Sequence, residues 1–208
     1  MNRPRTGQPD PRLLVLHALR CAGACGLARI RAVTGLDESR LDFVLIDHTV
    51  DGLLARVFDD PPCWRLTDAG RAEHARLIAD ELMTAGARAF VEESFDRFLV
   101  LNPELLDLCT AWQLRSVDGV MVANDHDDAA YDARVLDRFA DLDRRAAAVC
   151  AELSAALPRF GRYRVRLAEA LGLASSGALE YVTDSTASYH TVWAEWHEDL
   201  LVTLGKSR

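Results

Sequence analysis

The segment between residues 53 and 67 constrains the fold of this chain more than any other. It consists of two short apolar runs, residues 53–58 and 63–67, on either side of the turn Asp59-Asp60-Pro61-Pro62. Apolar runs of this length that flank a proline-containing turn predict a β-hairpin. Helical periodicity precedes and follows the segment, so the hairpin is expected to be a small addition to a helical domain.

Three helices are predicted before the hairpin, and a glycine turn joins the second to the third. A first helix begins near Leu13, residues 27–34 form a short second helix, and Gly35 is its expected stop. Asp37 stands at the N-cap position of a third helix, in which apolar positions recur at helical spacing as far as His48. This order is the helix-turn-helix layout.

The segment Leu66-Thr67-Asp68-Ala69-Gly70-Arg71 follows the hairpin and opens a long helix, with Thr67 or Asp68 as its cap. The order of elements, together with this segment, resembles the wing and exit helix of MarR- and PadR-type bacterial transcription regulators over about residues 11–85. The resemblance implies a winged helix-turn-helix domain that binds double-stranded DNA. A homodimer is expected, because two-fold symmetry would match a palindromic operator. An all-helical domain with an incidental hairpin is the alternative fold.

The predicted fold is therefore mainly α. Residues 1–10 are expected to form a flexible leader, residues 11–85 a winged helix-turn-helix with a two-stranded wing, and residues 86–208 a helical domain for ligand binding and dimerisation.

The charge distribution argues partly against DNA binding. The formal net charge is −8, and residues 1–80 carry 11 arginines against 11 acidic residues. The predicted wing tip is Asp59-Asp60, and a carboxylate that faces a phosphate opposes the counterion release that drives binding. The residues expected to contact DNA are Arg29, Arg31, Ser39, Arg40, His48 and Arg56, with Arg3, Arg5 and Arg12 as further cations. A winged helix that serves only as a docking scaffold is the rival hypothesis.

The second half of the chain is predicted to be helical. Asn102-Pro103-Glu104 has the composition of a helix start, residues 117–123 of a connection, and Ser185 of the final cap. Apolar spacing predicts a long helix through residues 135–157 and a shorter one through 162–171 that Gly172 ends.

Three segments of this half, at residues 102–113, 124–132 and 188–201, resemble a helical module associated with bacterial proteins of the pyruvate phosphate dikinase type. The resemblance implies no defined activity and supplies no catalytic residues. The chain has no glycine-rich phosphate loop of its own, so an accessory role in a biosynthetic or phosphotransfer pathway is the alternative function.

The residues of the final helix are predicted to form one wall of a pocket. Its polar-tipped aromatic side chains share one helical arc, whereas Glu195, Glu198 and Asp199 are expected to point away from it. Imidazole, indole and amide groups that converge suit a planar or anionic organic ligand. The predicted ligand-binding residues are Tyr189, His190, Trp193 and His197 on this helix, with Asn102, Trp112, Gln113, Asn124, His126 and Tyr131 opposite it. The alternative is that these histidines are ordinary core residues.

No metal, cofactor or catalytic residue is predicted. His190 and His197 are separated by about 10 Å of helical rise, too far to share one ion, and the acidic stretch at 125–132 lacks the glycine of a calcium loop. Ser188 and His190 would point to different faces of a helix, so they do not form a nucleophile and base pair. An enzyme therefore remains the second hypothesis, behind a ligand-responsive regulator.

The composition predicts a cytoplasmic protein with reduced thiols. No segment approaches the roughly 18 apolar residues of a membrane span. The five cysteines are odd in number and irregularly spaced, which is not typical of a disulfide framework.

Overall fold

A computed structural model describes residues 9–57 and 61–206, and the chain is mainly helical with two small antiparallel sheets. Most of the predicted leader, the cations Arg3 and Arg5, and the Asp59-Asp60 turn lie outside the described residues. The elements are α1 (Pro11–Ala22), β1 (Cys25–Gly26), α2 (Leu27–Thr34), α3 (Glu38–Val50), β2 (Leu54–Val57), β3 (Cys63–Leu66), α4 (Asp68–Ala85), α5 (Arg88–Gln113), β4 (Leu114–Val117), β5 (Val120–Ala123), α6 (Ala129–Ala156), a 3-10 turn (Pro158–Phe160), α7 (Gly161–Ser175), α8 (Glu180–Thr183) and α9 (Tyr189–Leu204).

The helix ends of the first third are those that the sequence predicts. Asp37 caps α3 by accepting a hydrogen bond from the backbone N–H of Arg40 at 2.9 Å. Thr67 caps α4 in the same way, accepting from Gly70 at 3.0 Å. Gly35 ends α2 in the left-handed region at φ 71°, which favours glycine. These three predictions are confirmed.

The predicted hairpin is also confirmed, and a third strand joins it. β2 pairs antiparallel with β3, from Leu54 opposite Leu66 to Val57 opposite Cys63. β1 pairs with the other edge of β3, so the sheet has three strands in the order β1-β3-β2. The sequence predicted two strands, because a strand of two residues is too short to show a period-two pattern.

The predicted helix start at residues 102–104 is wrong. α5 runs from Arg88 to Gln113 with Pro103 in its interior. Leu101 and Leu105 on either side are buried in the core, and this burial outweighs the backbone hydrogen bond that proline cannot donate. Asn102 does not act as a cap, since its side chain accepts a hydrogen bond from another helix.

The predicted connection at residues 117–123 is instead part of a second hairpin. β4 pairs antiparallel with β5, and Asp118 and Gly119 form the turn at φ 50° and 81°. Asp-Gly with positive φ at both positions is a preferred two-residue hairpin turn. The Asp118-Gly119 dipeptide therefore indicates this hairpin in the sequence itself.

Two further boundaries differ from the sequence prediction. α7 continues through Gly172 to Ser175, since a glycine weakens a helix interior without necessarily ending it. The N-cap of α9 is Ser188, which accepts from the N–H of Thr191 at 3.2 Å, whereas Ser185 lies in the preceding turn. The long helix predicted through residues 135–157 is confirmed, although α6 begins earlier, at Ala129.

The buried apolar residues form two clusters. One extends from Val15 to Leu66 and joins α1, α2, α3 and the first sheet. The other extends from Leu82 to Leu204 and joins α5, α6, α7 and α9. We refer to residues 11–85 as the N-terminal unit and residues 86–206 as the C-terminal unit. α9 contacts α1 and α4 as well as α5 and α7, so it lies between the two.

Candidate functional site at the junction of the two units

The three carboxylates of α9 form the centre of the junction, and the prediction that they point away from the core is wrong. Asp199 is 1% exposed and Glu195 is 6% exposed. The aromatic arc of α9 packs on the C-terminal unit while the opposite face packs on the N-terminal unit. Because both faces are covered, Asp199 and Glu195 are buried and Glu198 is half-buried, and each is paired with a cation from another element.

Asp199 joins the two units through a histidine and an arginine. Its Oδ2 lies 2.8 Å from Nε2 of His17 on α1, and its Oδ1 accepts from the guanidinium of Arg159 and from the hydroxyl of Thr203. Arg159 also donates through Nε to Glu81 on α4 at 2.7 Å. A fully buried guanidinium thus holds one carboxylate from each unit.

Charge and burial set the protonation states of this cluster. Burial opposes ionisation of Asp199, but the charges of Arg159 and His17 outweigh it and hold the pKa of that carboxyl well below its ordinary value. His74 on α4 lies 2.9 Å from His17, between Nε2 and Nδ1. Burial, with the charges of His17 and Arg159, lowers the pKa of His74 to about 3, so His74 is neutral at pH 7.

This cluster has the residue types of a catalytic site without its arrangement. Cys21 Sγ lies 3.5 Å from Nε2 of His17, the same nitrogen that faces Asp199. A base needs one nitrogen for the nucleophile and the other for its orienting carboxylate. Burial also raises the pKa of the Cys21 thiol well above its ordinary value. Within the described residues, no group of three side chains is placed to hold a metal ion.

Glu195 and Glu198 extend the junction along α9. Glu195 bridges the half-buried Arg29 on α2 and the buried Arg166 on α7. Glu198 pairs with Arg20 on α1 at 2.8 Å. Because buried charges that lose their partners are costly, these pairs, together with that of Arg159 and Glu81, fix how α1, α2 and α4 sit on the C-terminal unit. The arrangement can transmit a displacement of α9 to the N-terminal unit.

The predicted ligand-binding residues fall into two groups. In the first, the indole N–H of Trp193 donates to Oδ1 of Asn102 at 3.0 Å, and the hydroxyl of Tyr189 donates to Asp143 at 3.1 Å. His197 lies against the rings of Phe95 and Phe98, and His190 is half-buried. The polar tips of Trp193 and Tyr189 are therefore satisfied by protein partners.

The second group lies at the far end of α5. Asn124 donates to the carbonyl of Trp112 at 3.0 Å and to Asp132 at 2.8 Å, and His126 Nδ1 lies 2.9 Å from Asp132. The hydroxyl of Tyr131 donates to the carbonyl of Ala111, whereas Gln113 is exposed. Ten residues of helix separate Asn102 from Trp112, about 15 Å, so the two groups do not line one pocket. Asp132, which the sequence analysis missed, is the residue that joins the second group.

The predicted DNA-contacting residues lie in several places on the N-terminal unit. Arg31 and Arg56 line one groove of about 700 Å³ together with Trp64, between α2, the start of α3 and the first hairpin. Ser39 and Arg40 are exposed on α3.

One of the expected DNA contacts lies elsewhere. His48 is fully buried, with Nε2 3.0 Å from the carbonyl of Arg12. The side chain of His48 does not reach the surface of α3. Arg29 lines the same groove as Arg31 and Arg56, but its guanidinium is paired with Glu195. Helical spacing alone does not tell which polar residues of a helix face the core.

An apolar stripe occupies the exposed face of α3. Phe43, Ile46 and Val50 are 70%, 65% and 80% exposed. Their spacing places them on one side of the helix. A continuous apolar stripe on a surface helix is typical of a protein contact more than of a phosphate contact.

Comparison of the chain with models of known protein families, with curated proteins and with solved structures finds no match. In the part of the chain that the structure describes, every helix is too short or too polar to cross a membrane.

Proposed function

We propose that this protein is a ligand-responsive transcription regulator in which the N-terminal unit is a winged helix that binds DNA. The order helix, strand, two helices, hairpin and helix supports this, as does a three-stranded sheet in the order β1-β3-β2. α3 then corresponds to the recognition helix and the β2–β3 hairpin to the wing.

The groove shared by Arg31, Arg56 and Trp64 carries the DNA proposal. Three arginines line the same groove beside α3, Arg29 and Arg31 from α2 and Arg56 from β2, and Arg29 is already paired with Glu195. Arg31 has one weak ion pair, 3.8 Å from the exposed Glu38, which a phosphate can displace. Arginines that contact phosphates position a protein on the duplex.

Control by a ligand follows from the position of α9. The carboxylates of α9 hold α1 through Arg20 and His17, and α2 through Arg29. A ligand that binds one placement of α9 better than another will bias the orientation of α2 and α3. The helical unit is thereby the sensor and the N-terminal unit the output.

The proposed regulator acts as a homodimer, and the β4–β5 hairpin is its contact arm. Val120, Met121 and Val122 on β5 are exposed, and a hairpin of two strands is marginally stable by itself. Both outer edges carry unpaired backbone groups. Antiparallel pairing of two such edges around a two-fold axis would cover them.

A gel shift with the region upstream of its own gene tests the DNA proposal, at several salt concentrations. We expect binding that weakens steeply with salt, and a salt slope reduced by about two in the double variant Arg31→Ala and Arg56→Ala. Arg138→Ala, on the exposed surface of α6, is the matched control. Absence of salt-sensitive binding to any upstream fragment would overturn the proposal.

The apolar stripe on α3 favours a second candidate, a winged helix that docks onto a protein instead of DNA. In that case Phe43→Ser with Ile46→Ser removes the function, while the arginine variants leave it intact. If the serine variants bind DNA as the wild type does and the arginine variants do not, DNA is the target.

A further inference from the structure

A cavity of about 180 Å³ lies between α2, α7 and α9, and three arginines line it: Arg29, Arg162 and Arg166. We propose that this cavity binds a small organic carboxylate. The inference deepens the sensing part of the proposed function by naming a site and a ligand class. This site is separate from the Trp193 and His126 groups that the sequence indicated.

The balance of charge in the cavity favours an anion. The three guanidinium groups face two carboxylates, Glu195 and Glu169. Glu195 already serves both Arg29 and Arg166. Among the described residues, no carboxylate lies within 4.0 Å of Arg162, whose Nη2 donates to the backbone carbonyl of Ala32 at 3.0 Å. One positive charge is therefore left without an ionic partner.

Two of these guanidinium groups also have unused hydrogen-bond donors. Nη1 of Arg166 and Nε of Arg162 are buried without a partner in the described part of the chain. A buried donor without an acceptor is costly, and an arginine donates in a planar fork that fits a carboxylate. A carboxylate that draws these guanidinium groups towards the cavity would give such donors an acceptor.

The size and the walls of the cavity define the rest of the ligand. The volume equals that of about six water molecules in the liquid, which suits a small ligand. Leu173, Tyr181 and Val192 supply apolar surface beside the arginines. The site therefore fits a carboxylate with a short aliphatic or single-ring tail better than an inorganic ion.

A ligand in this cavity would act directly on the turn between α2 and α3. Arg162 holds the end of α2 through Ala32, and it packs so closely on Gly35 that a Cβ there would lie 2.7 Å from its Cζ. Recruitment of Arg162 by a carboxylate competes with these contacts. The occupied cavity thus changes what holds α3 in place.

Isothermal titration calorimetry with the full chain tests the site and needs no DNA. Butyrate and benzoate are the probes, butyramide and benzamide their neutral counterparts, and inorganic phosphate a third class of ligand. We expect binding of a carboxylate at least about tenfold tighter than of its amide, because charged hydrogen bonds are lost in the amide. Phosphate is expected to bind more weakly than either acid.

The variants locate the binding. Arg162→Gln and Arg166→Gln should each weaken carboxylate binding about tenfold or more, and Arg138→Gln should not. Arg166 is part of a buried ion pair, and Arg166→Gln can therefore fail to fold. In that case Arg162→Gln decides the test, because Arg162 is half-buried and has no ionic partner among the described residues. Equal binding of acid and amide, no binding of either acid, tighter binding of phosphate, or unchanged binding by folded Arg162→Gln would each overturn the proposal. The calorimetric result does not depend on the gel shift, so the carboxylate site and the DNA proposal are tested independently.

Discussion

Nε2 of His17 on α1 lies 2.8 Å from Oδ2 of Asp199 on α9, and both side chains are buried. The pair joins the first and last helices of the fold through one polar contact. Arg159 and Thr203 complete the set of partners around the carboxylate. Asp199 therefore attaches the N-terminal unit to α9 through a buried polar cluster.

Asp199→Asn should destabilise the protein by about 3–5 kcal/mol, because it leaves the buried Arg159 without its closest counter-charge. Urea unfolding followed by the far-ultraviolet circular dichroism signal measures this. The control is Glu104→Gln, which removes an ion pair with the exposed Arg145 and should cost less than about 1 kcal/mol. Similar losses in both variants would show that the buried cluster has no special role.

Stability should fall as the pH is lowered from 7 to 5. The folded state holds the pKa of His74 at about 3, below the ordinary value of 6.5, and burial also lowers the pKa of His48. Below pH 6.5 the unfolded chain binds protons at these histidines that the folded chain does not. The contribution of His74 to the free energy of unfolding is therefore present above pH 6.5 and is lost as the pH falls towards 3.

Unfolding free energies at pH 7, 6 and 5 measure the effect. Each histidine contributes a slope of at most about 1.4 kcal/mol per pH unit. His74→Gln should flatten the profile between pH 6 and 5. His17, Arg159 and Asp199 face His74, and they remain in that variant. An unchanged slope would mean that another group titrates.

Local chemistry predicted the first third of the fold. Asp37 and Thr67 cap helices, and Gly35 ends one, by interactions within four residues. Interactions between residues so close in sequence can be predicted from the sequence. Pro103 shows their limit, since the same local chemistry indicated a helix start where tertiary burial imposes a continuous helix.

The junction could not be predicted in the same way. Asp199 finds His17 and Arg159, and Glu195 finds Arg29 and Arg166, all of them remote in sequence. A helical wheel assigns one buried face to a helix, whereas α9 is covered on two. One signal was present: three carboxylates beside two tryptophans are too many charges for a helix in the core unless cations meet them.

The hydrogen bond between Trp193 and Asn102 should stabilise the fold whether or not a ligand is present. Asn102→Leu removes the acceptor of the indole N–H and should cost about 1–3 kcal/mol. Trp193→Phe removes the donor, and a double-mutant cycle should give a coupling of at least about 0.5 kcal/mol. Additive effects in urea unfolding would contradict the contact.

The exposed hairpin makes a prediction about assembly. Met121 lies opposite Ser116, near the Asp118-Gly119 turn, and its side chain is 58% exposed. If two copies pair through this arm, Met121→Glu places two like charges near the two-fold axis and should shift a dimer towards the monomer. Sedimentation velocity over a range of concentrations measures the shift. Val100→Glu, which makes the same kind of change at an exposed position on α5, should leave the dimer intact. Charge opposes association only where it lies at the pairing edge. A monomeric wild type, or a dimer that Val100→Glu dissociates and Met121→Glu does not, would therefore show that the hairpin is not the contact.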